Sequence, residues 1–369
     1  MLVTNARQRV HGGDPWRLMR ETGAPRAQIL DFSVDVNPLG SPASVRSLIL
    51  GQMEAIQDYP DPEAVALREA LSAAHHLSPE MILPGNGSAE LIGLLGRSQP
   101  MTRALVVAPT FTEYEWALQH AGVVVQRAFT EEARGFRLEW DTGTWRQALE
   151  GVGLVVLCNP NNPTGVALPK ADVLHLAQAC EDAGVQLVID EAFVELTDRP
   201  EEISVLPQVR ELGHVVVLRS LTKCFAIPGL RVGYVVASPS VVERLRALQQ
   251  PWPLNTFAIA VGAELFKETD YLARSRRLLR ELRQSFQQAL GRLSGLRSFA
   301  TDVNFVLCKI ERSDLTSSDL CRRLAEQGIL IRNCDSFTGL ESGRFIRMAI
   351  RLPEENARLL GALREVFVP

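Results

Sequence analysis

Short runs of almost unbroken apolar residues recur through the middle of the chain and leave few ways to fold it. Residues 104–108, 154–158, 185–189 and 215–218 are almost wholly Val, Leu, Ile, Ala and Cys, and a further strand-like run spans 229–237. Each has the length of a strand and is too short for a buried helix. A strand with one wet face alternates polar and apolar residues, so a continuous run signals burial on both faces. Helical stretches separate these runs. Together they predict an α/β fold: a mainly parallel central sheet with helices on both faces. Such sheets bind ligands beyond the carboxyl ends of their strands, which directs attention to the residues just past each run.

Those residues carry chemistry. Phe111 follows the first run, in Ala108-Pro109-Thr110-Phe111. Asn162 follows the second, in Asn159-Pro160-Asn161-Asn162-Pro163-Thr164-Gly165. Asp190 ends the third, in Asp190-Glu191-Ala192-Phe193, and Ser220-Leu221-Thr222-Lys223 follows the fourth, ahead of Pro228-Gly229 and Arg231. Each has a plain alternative: a core ring, a turn amide, a helix cap and a solvated surface amine. Four strand ends bearing complementary groups are hard to reach by accident. A Lys between apolar segments is favoured as the neutral, nucleophilic amine. Ser220, Thr222 and Arg231 form a group able to hold a phosphate. A second is Gly87 and Ser88, where glycines admit a close ligand and a helix N-terminus offers amides to an anion. An amine beside a phosphate cradle is what a pyridoxal phosphate Schiff base requires, and an Asp at a strand end can keep a pyridine nitrogen protonated.

The flanking segments are less regular. Residues 1–45 show no strong periodicity, but contain His11-Gly12-Gly13 and an extended piece from Asp31 through Asp35 to Asn37-Pro38-Leu39-Gly40. Toward the C-terminus a long helix is predicted over 271–293, with strands at 303–307, 329–332 and 345–351. Arg332 and Arg347 stand inside otherwise apolar strands, and a buried Arg needs an anionic partner; a carboxylate suits its planar fork. The expected division is an N-terminal arm over 1–45, a large cofactor domain over 46–265 and a small α+β domain over 266–369.

Charge and cysteine content exclude other classes. The net charge of -4 gives no electrostatic case for nucleic acid or membrane binding. No segment is apolar for the length of a bilayer. The six cysteines form no C-x-x-C pair, so no metal site is expected. Scattered thiols and an N-terminus without an apolar signal region fit the cytoplasm.

In combination, the Asn-Pro-x-Asn-Pro-Thr-Gly loop, the Asp-Glu-Ala strand end, and Ser-x-x-Lys with an Arg eight residues beyond the Lys resemble the fold-type-I pyridoxal-phosphate enzymes of the class I and II aminotransferase superfamily. The resemblance covers nearly the whole chain. It implies that Lys223 carries pyridoxal 5'-phosphate, that Asp190 pairs with the pyridine nitrogen, that Asn162 binds the phenolate oxygen, and that Gly87, Ser88, Ser220 and Arg231 hold the phosphate while Phe111 stacks on the ring. Tyr59 resembles the residue that a neighbouring subunit lends to that phosphate, which implies a homodimer. Phe193 stands where many relatives carry a Tyr. The resemblance further implies a phosphorylated amino-acid substrate, met by His11, Gly12, position 35 and Asn162, with Arg332 and Arg347 on its anionic groups. Relatives usually carry Asn where this chain has Asp35, and a carboxylate there is expected to repel a substrate phosphate. The expected reaction is decarboxylation of L-threonine O-3-phosphate to (R)-1-amino-2-propanol O-2-phosphate, as in cobalamin biosynthesis. Transamination of the histidinol-phosphate type is the alternative; a non-catalytic cofactor-binding regulator is a third reading, disfavoured by the retained Lys223.

Overall fold

The computed structural model describes residues 12, 14–139 and 141–367. Its described strands run, in chain order, β1 (Leu30–Asp31), β2 (Ile82–Gly85), β3 (Arg103–Ala108), β4 (Val124–Phe129), β5 (Leu154–Cys158), β6 (Gln186–Asp190), β7 (Val215–Ser220), β8 (Gly233–Val236), β9 (Leu296–Ser298), β10 (Phe305–Ile310), β11 (Ile329–Leu330), β12 (Arg332–Asn333) and β13 (Phe345–Ala349). Seven of them form one sheet in the order β2-β8-β7-β6-β5-β3-β4. β8 is antiparallel to both its neighbours, while the other pairings are parallel.

The apolar runs become the central strands, and burial explains their composition. Every residue of β5, β6 and β7 is buried. Val155, Leu157, Leu187, Ile189, Val215 and Val217 enter one hydrophobic cluster, and Leu154, Val156, Cys158, Val188, Val216 and Leu218 enter another. Alternate side chains thus feed opposite faces of the sheet. Val173, Leu176, Ala177 and Cys180 of the Lys170–Asp182 helix pack into the first cluster. Leu91, Ile92, Leu94 and Leu95 of the Gly87–Leu95 helix pack into the second.

A smaller antiparallel sheet follows, in the order β12-β13-β10-β9. The Thr269–Leu290 helix joins the two halves: Tyr271 and Leu279 enter the large cluster, and Leu282, Phe286 and Leu290 enter the small one. This helix was expected over 271–293. It ends three residues earlier, at the Gly291 cap.

Two expectations need adjustment. The run at 229–237 is a strand only from Gly233; before it come the Pro228–Leu230 turn and Arg231 in the left-handed region at φ 57°. The N-terminal arm is more regular than its sequence suggested. It contains a Pro15–Thr22 helix, started by the Asp14 carboxylate accepting from the Arg17 N–H at 2.9 Å and ended by Gly23 at φ 72°. β1 then pairs in parallel with β11, and beyond it the Asn37 amide donates to the carbonyl of Cys224 (2.8 Å) and to Ser275 Oγ (2.7 Å). The arm is thereby tied to both halves of the chain.

Candidate active site

Parallel register brings the chemical groups together. Cys158 of β5 lies opposite Asp190 of β6, and Asp190 opposite Leu218 of β7, so three strands end side by side. Beyond those ends, facing the small sheet, is a cleft of about 330 Å³. Its walls include Ser88, Phe111, Asn162, Asp190, Ser220, Thr222, Lys223 and Arg231 from the large half, Arg332 and Arg347 from the small half, and Gly12 and Asp35 from the arm. Gly87 sits behind Arg231, and a Cβ on it would collide with that guanidinium; its φ of 73° also suits glycine. His11 lies outside the described residues. Tyr59 does not line the cleft of its own chain: it is 79% exposed and stacks on Trp252 with ring centroids 4.5 Å apart.

Lys223 follows β7 in the short Leu221–Cys224 helix. The Lys223 carbonyl accepts from the Asn37 N–H at 3.0 Å, which ties the arm to this short helix. Burial holds the amine below the ordinary lysine range; Asp35 opposes that, and Arg347 and Arg231 reinforce it. The result is an amine more readily neutral than a surface lysine.

Asp190 is buried, which pushes its carboxyl upward, while hydrogen bonds from Tyr114 and the Ala192 backbone pull it back. The Tyr114 hydroxyl donates to Oδ2 at 2.8 Å, and the Ala192 N–H donates to Oδ1 at 2.9 Å. Cys158, beside them, is pushed up to about 12 by burial and stays a thiol. Phe111 meets the Tyr114 ring edge-on, centroids 5.7 Å apart. Phe193 is buried edge-on against Phe305 at 5.1 Å and offers no hydroxyl to the cleft.

Another part of the wall gathers groups suited to an anion. Ser220 Oγ and Thr222 Oγ1 lie 2.7 Å apart, and Arg231 packs against the start of the Gly87–Leu95 helix beside Ser88. Gly233 admits this approach, since a Cβ there would meet Ser88 N at 2.9 Å and the Arg219 carbonyl at 2.8 Å. Hydroxyls, a guanidinium and helix amides suit a phosphate. With Lys223 and the Asp190 carboxylate lining the same cleft, the donor set fits pyridoxal 5'-phosphate.

The small half presents Arg332 and Arg347, which face each other across β12 and β13. Arg347 is engaged: Nη2 lies 2.7 Å from Asp35 Oδ2 and 2.9 Å from the Ser33 carbonyl, Nη1 donates to Asn162 Oδ1, and the guanidinium lies over Phe305. Asp35 is itself buried; burial raises its carboxyl, against the pull of Arg347 and Lys223. Arg332 donates to Ser336 Oγ at 2.6 Å and lies over Phe337, with no carboxylate in ion-pair reach among the described residues.

Tyr114 and the Asp35–Arg347 pair escaped the reading of the sequence. Tyr114 had a usable signal, since it stands three residues after Phe111, one helical turn, where side chains share a face. Asp35 and Arg347 are far apart in sequence, and nothing local marks them as partners.

Fold and cleft define an enzyme of the class I and II aminotransferase family. The chain belongs to that family, matching it over residues 27–363. It is 38% identical over 360 residues to the threonine-phosphate decarboxylase of Salmonella typhimurium, covering 97% of this chain and 96% of that protein. Among solved structures, the L-threonine-O-3-phosphate decarboxylase of Porphyromonas gingivalis superposes with a TM-score of 0.82 at 26% identity, over 92% of this chain and 99% of that one. The histidinol-phosphate aminotransferase of Clostridium acetobutylicum gives 0.84 at 30% identity, over 92% and 99%.

Proposed function

We propose that this enzyme decarboxylates L-threonine O-3-phosphate to (R)-1-amino-2-propanol O-2-phosphate, with pyridoxal 5'-phosphate as cofactor, in cobalamin biosynthesis. The observation that carries the reading is one cleft joining Lys223 and Asp190 to two arginines on the facing strands, in a chain similar over nearly its whole length to a threonine-phosphate decarboxylase. The substrate brings two anionic groups, a carboxylate and a phosphate.

In this reading Ser88, Ser220, Thr222 and Arg231 hold the cofactor phosphate, Asn162 meets its phenolate oxygen, Phe111 covers its ring and Asp190 pairs with its nitrogen. The bound cofactor supplies an electron sink for the pair left at Cα. Arg332 and Arg347 orient the substrate's anionic groups. As the bond from Cα to the carboxylate breaks, carbon dioxide leaves and a proton must take its place. Lys223, having taken up the proton that the substrate's ammonium group gives up on binding, would deliver it at Cα and return to the neutral amine.

Transamination of a histidinol-phosphate-type substrate has one observation in its favour. Asp35 already occupies Arg347, leaving Arg332 as the arginine without a counter-ion, and histidinol phosphate brings a single anionic group.

We also assign a homodimer, with Tyr59 completing the neighbouring subunit's phosphate site. Exposed Leu50, Met53, Ile56, Tyr59 and Trp252 offer apolar surface to a second copy. No helix of the described residues is long and apolar enough to cross a membrane; a cytoplasmic location suits the free thiols.

The test is stoichiometric. With L-threonine phosphate and no keto acid, carbon dioxide is released over many turnovers, and Lys223→Ala abolishes it. A requirement for 2-oxoglutarate, with glutamate as product, replaces this reading with the aminotransferase.

A further inference from the structure

We propose that Tyr114 is the positioning residue for Asp190: its hydroxyl orients the buried carboxylate and keeps it charged toward the nitrogen of the bound cofactor. The geometry is specific. Asp190 is 3% exposed and Tyr114 is 2% exposed, so their 2.8 Å hydrogen bond is shielded from water. Among the described residues no Lys or Arg lies within ion-pair distance of Asp190. Among the described residues, the donors to its carboxylate are the Ala192 N–H, which no side-chain change removes, and the Tyr114 hydroxyl.

An ionised carboxylate buried without a cation is costly unless hydrogen bonds satisfy it. Burial, joined by the Glu191 charge, pushes Asp190 toward the protonated form; the Tyr114 hydrogen bond is the largest influence against it, ahead of the Ala192 N–H and the Lys223 charge. A protonated Asp190 can no longer hold a proton on a pyridine nitrogen. The phenol stays protonated here, because burial and the Asp190 charge both raise it, so it remains a donor.

Placement adds a second role. Tyr114 lies in the first turn of the Glu113–His120 helix, and Phe111 stands three residues before it with the two rings T-shaped. One turn of chain thus sets both the ring that lines the cleft and the hydroxyl that fixes Asp190. The competing account is that Tyr114 only fills the cluster shared with Leu118 and Val156. Phenylalanine would fill that space equally well and donate nothing.

The inference rests on the cleft holding pyridoxal phosphate, and not on the choice of substrate. Wild-type protein that takes up no cofactor would remove that reading and this one with it; wild-type protein that binds it leaves Tyr114 to be judged alone. The measurements are the dissociation constant for pyridoxal phosphate and the pH titration of the holoenzyme's visible absorbance, for wild type, Tyr114→Phe, Asp190→Asn and the double variant. Tyr114→Phe should bind cofactor about ten- to a hundredfold more weakly, the range set by losing a hydrogen bond to a charged group. Its acid limb should move to higher pH, because an unsupported Asp190 takes up a proton sooner. In the Asp190→Asn background the same change should alter affinity by less than about twofold, since Tyr114 acts through that charge. Equal losses in both backgrounds, or Tyr114→Phe matching wild type in affinity and pH limb, overturn the proposal. If Tyr114→Phe does not fold, Tyr114→His and Tyr114→Leu are compared; a His that binds cofactor no better than Leu overturns it equally.

Discussion

Arg332 and Arg347 face each other across two antiparallel strands, yet among the described residues only Arg347 has a carboxylate in ion-pair reach, Asp35 at 2.7 Å. Like charges directly opposite in a sheet repel, so this pair persists because Asp35, Asn162 and the Ser33 carbonyl take up Arg347 while Arg332 leans on Ser336 and the Phe337 ring. One arginine is thus held by protein groups, and the other is the one that the proposed function leaves to meet a ligand's charge.

Asp35→Asn tests the held member. Removing one partner of a buried ion pair destabilises a protein by about 3–5 kcal/mol, and Arg347 retains two other acceptors, so the lower end is expected. The freed guanidinium should then bind an anionic substrate more tightly, lowering KM for L-threonine phosphate roughly tenfold, or about 1.4 kcal/mol. Substrate should also raise the melting temperature of Asp35→Asn more than that of wild type. Unchanged melting and unchanged KM would show that Asp35 controls neither Arg347 nor the substrate.

Arg332→Met tests the other. A buried charge without a counter-ion is costly, and burial already pulls this guanidinium below its ordinary value. Replacing it with an apolar chain of similar volume should leave the unliganded protein as stable or more so. Substrate binding should suffer by roughly a hundredfold in KM, as expected for losing charge-assisted hydrogen bonds worth about 3 kcal/mol. A variant that melts far below wild type would make Arg332 a structural residue.

The central strands were legible because burial on both faces writes itself into composition: β5 and β7 carry no polar residue before their last two positions. Lys223, Asp190 and Asn162 were legible as cleft residues because they sit at or just past the ends of those strands, where such a topology puts a ligand. β4 was not, since Val124, Gln126, Arg127 and Phe129 lie at an edge and stay partly open to water. β2 was hidden by Pro84 and Gly85, residues that usually mark a turn, although Pro84 pairs with Tyr234 in the sheet. The partnership of Asp35 with Arg347 is a product of tertiary packing, and propensity and spacing carry no trace of it.

Glu191→Gln probes the scaffold behind the cleft. Glu191 is fully buried and accepts from Arg219 Nε at 2.9 Å, Ser204 Oγ at 2.8 Å and the Val205 N–H at 2.8 Å. Arg219 extends the network to Glu195, and Glu195 to Arg276. Glu191 immediately follows Asp190, and Arg219 immediately precedes Ser220, so the network clamps the strand ends that bear the proposed cofactor groups. Neutralising Glu191 should cost about 3–5 kcal/mol in chemical denaturation and weaken cofactor binding as well. Loss of stability with cofactor affinity intact would limit the network to the fold.

His75 gives a pH signature separable from the carboxylates. It ends the Val65–His75 helix, its Nε2 lies 2.7 Å from the Tyr234 hydroxyl, and Phe266 meets its ring edge-on at 5.7 Å. Burial, aided by Arg219, lowers it from an ordinary 6.5 to about 4. The folded protein therefore keeps a neutral imidazole over a range in which the unfolded chain takes up a proton. Between pH 6.5 and 4 the unfolded state binds more protons, so stability falls as pH falls. Above that window the group is neutral in both states and contributes no slope; below it both are charged and the loss stops growing. At 1.36 kcal/mol per pH unit, the loss amounts to about 3 kcal/mol. Gln at this position can accept from the Tyr234 hydroxyl but does not titrate. Urea denaturation at pH 7 and pH 4 should show wild type losing about 3 kcal/mol more than His75→Gln, the carboxylates being common to both. Equal losses would mean that His75 takes up its proton as readily in the folded protein as in the unfolded chain.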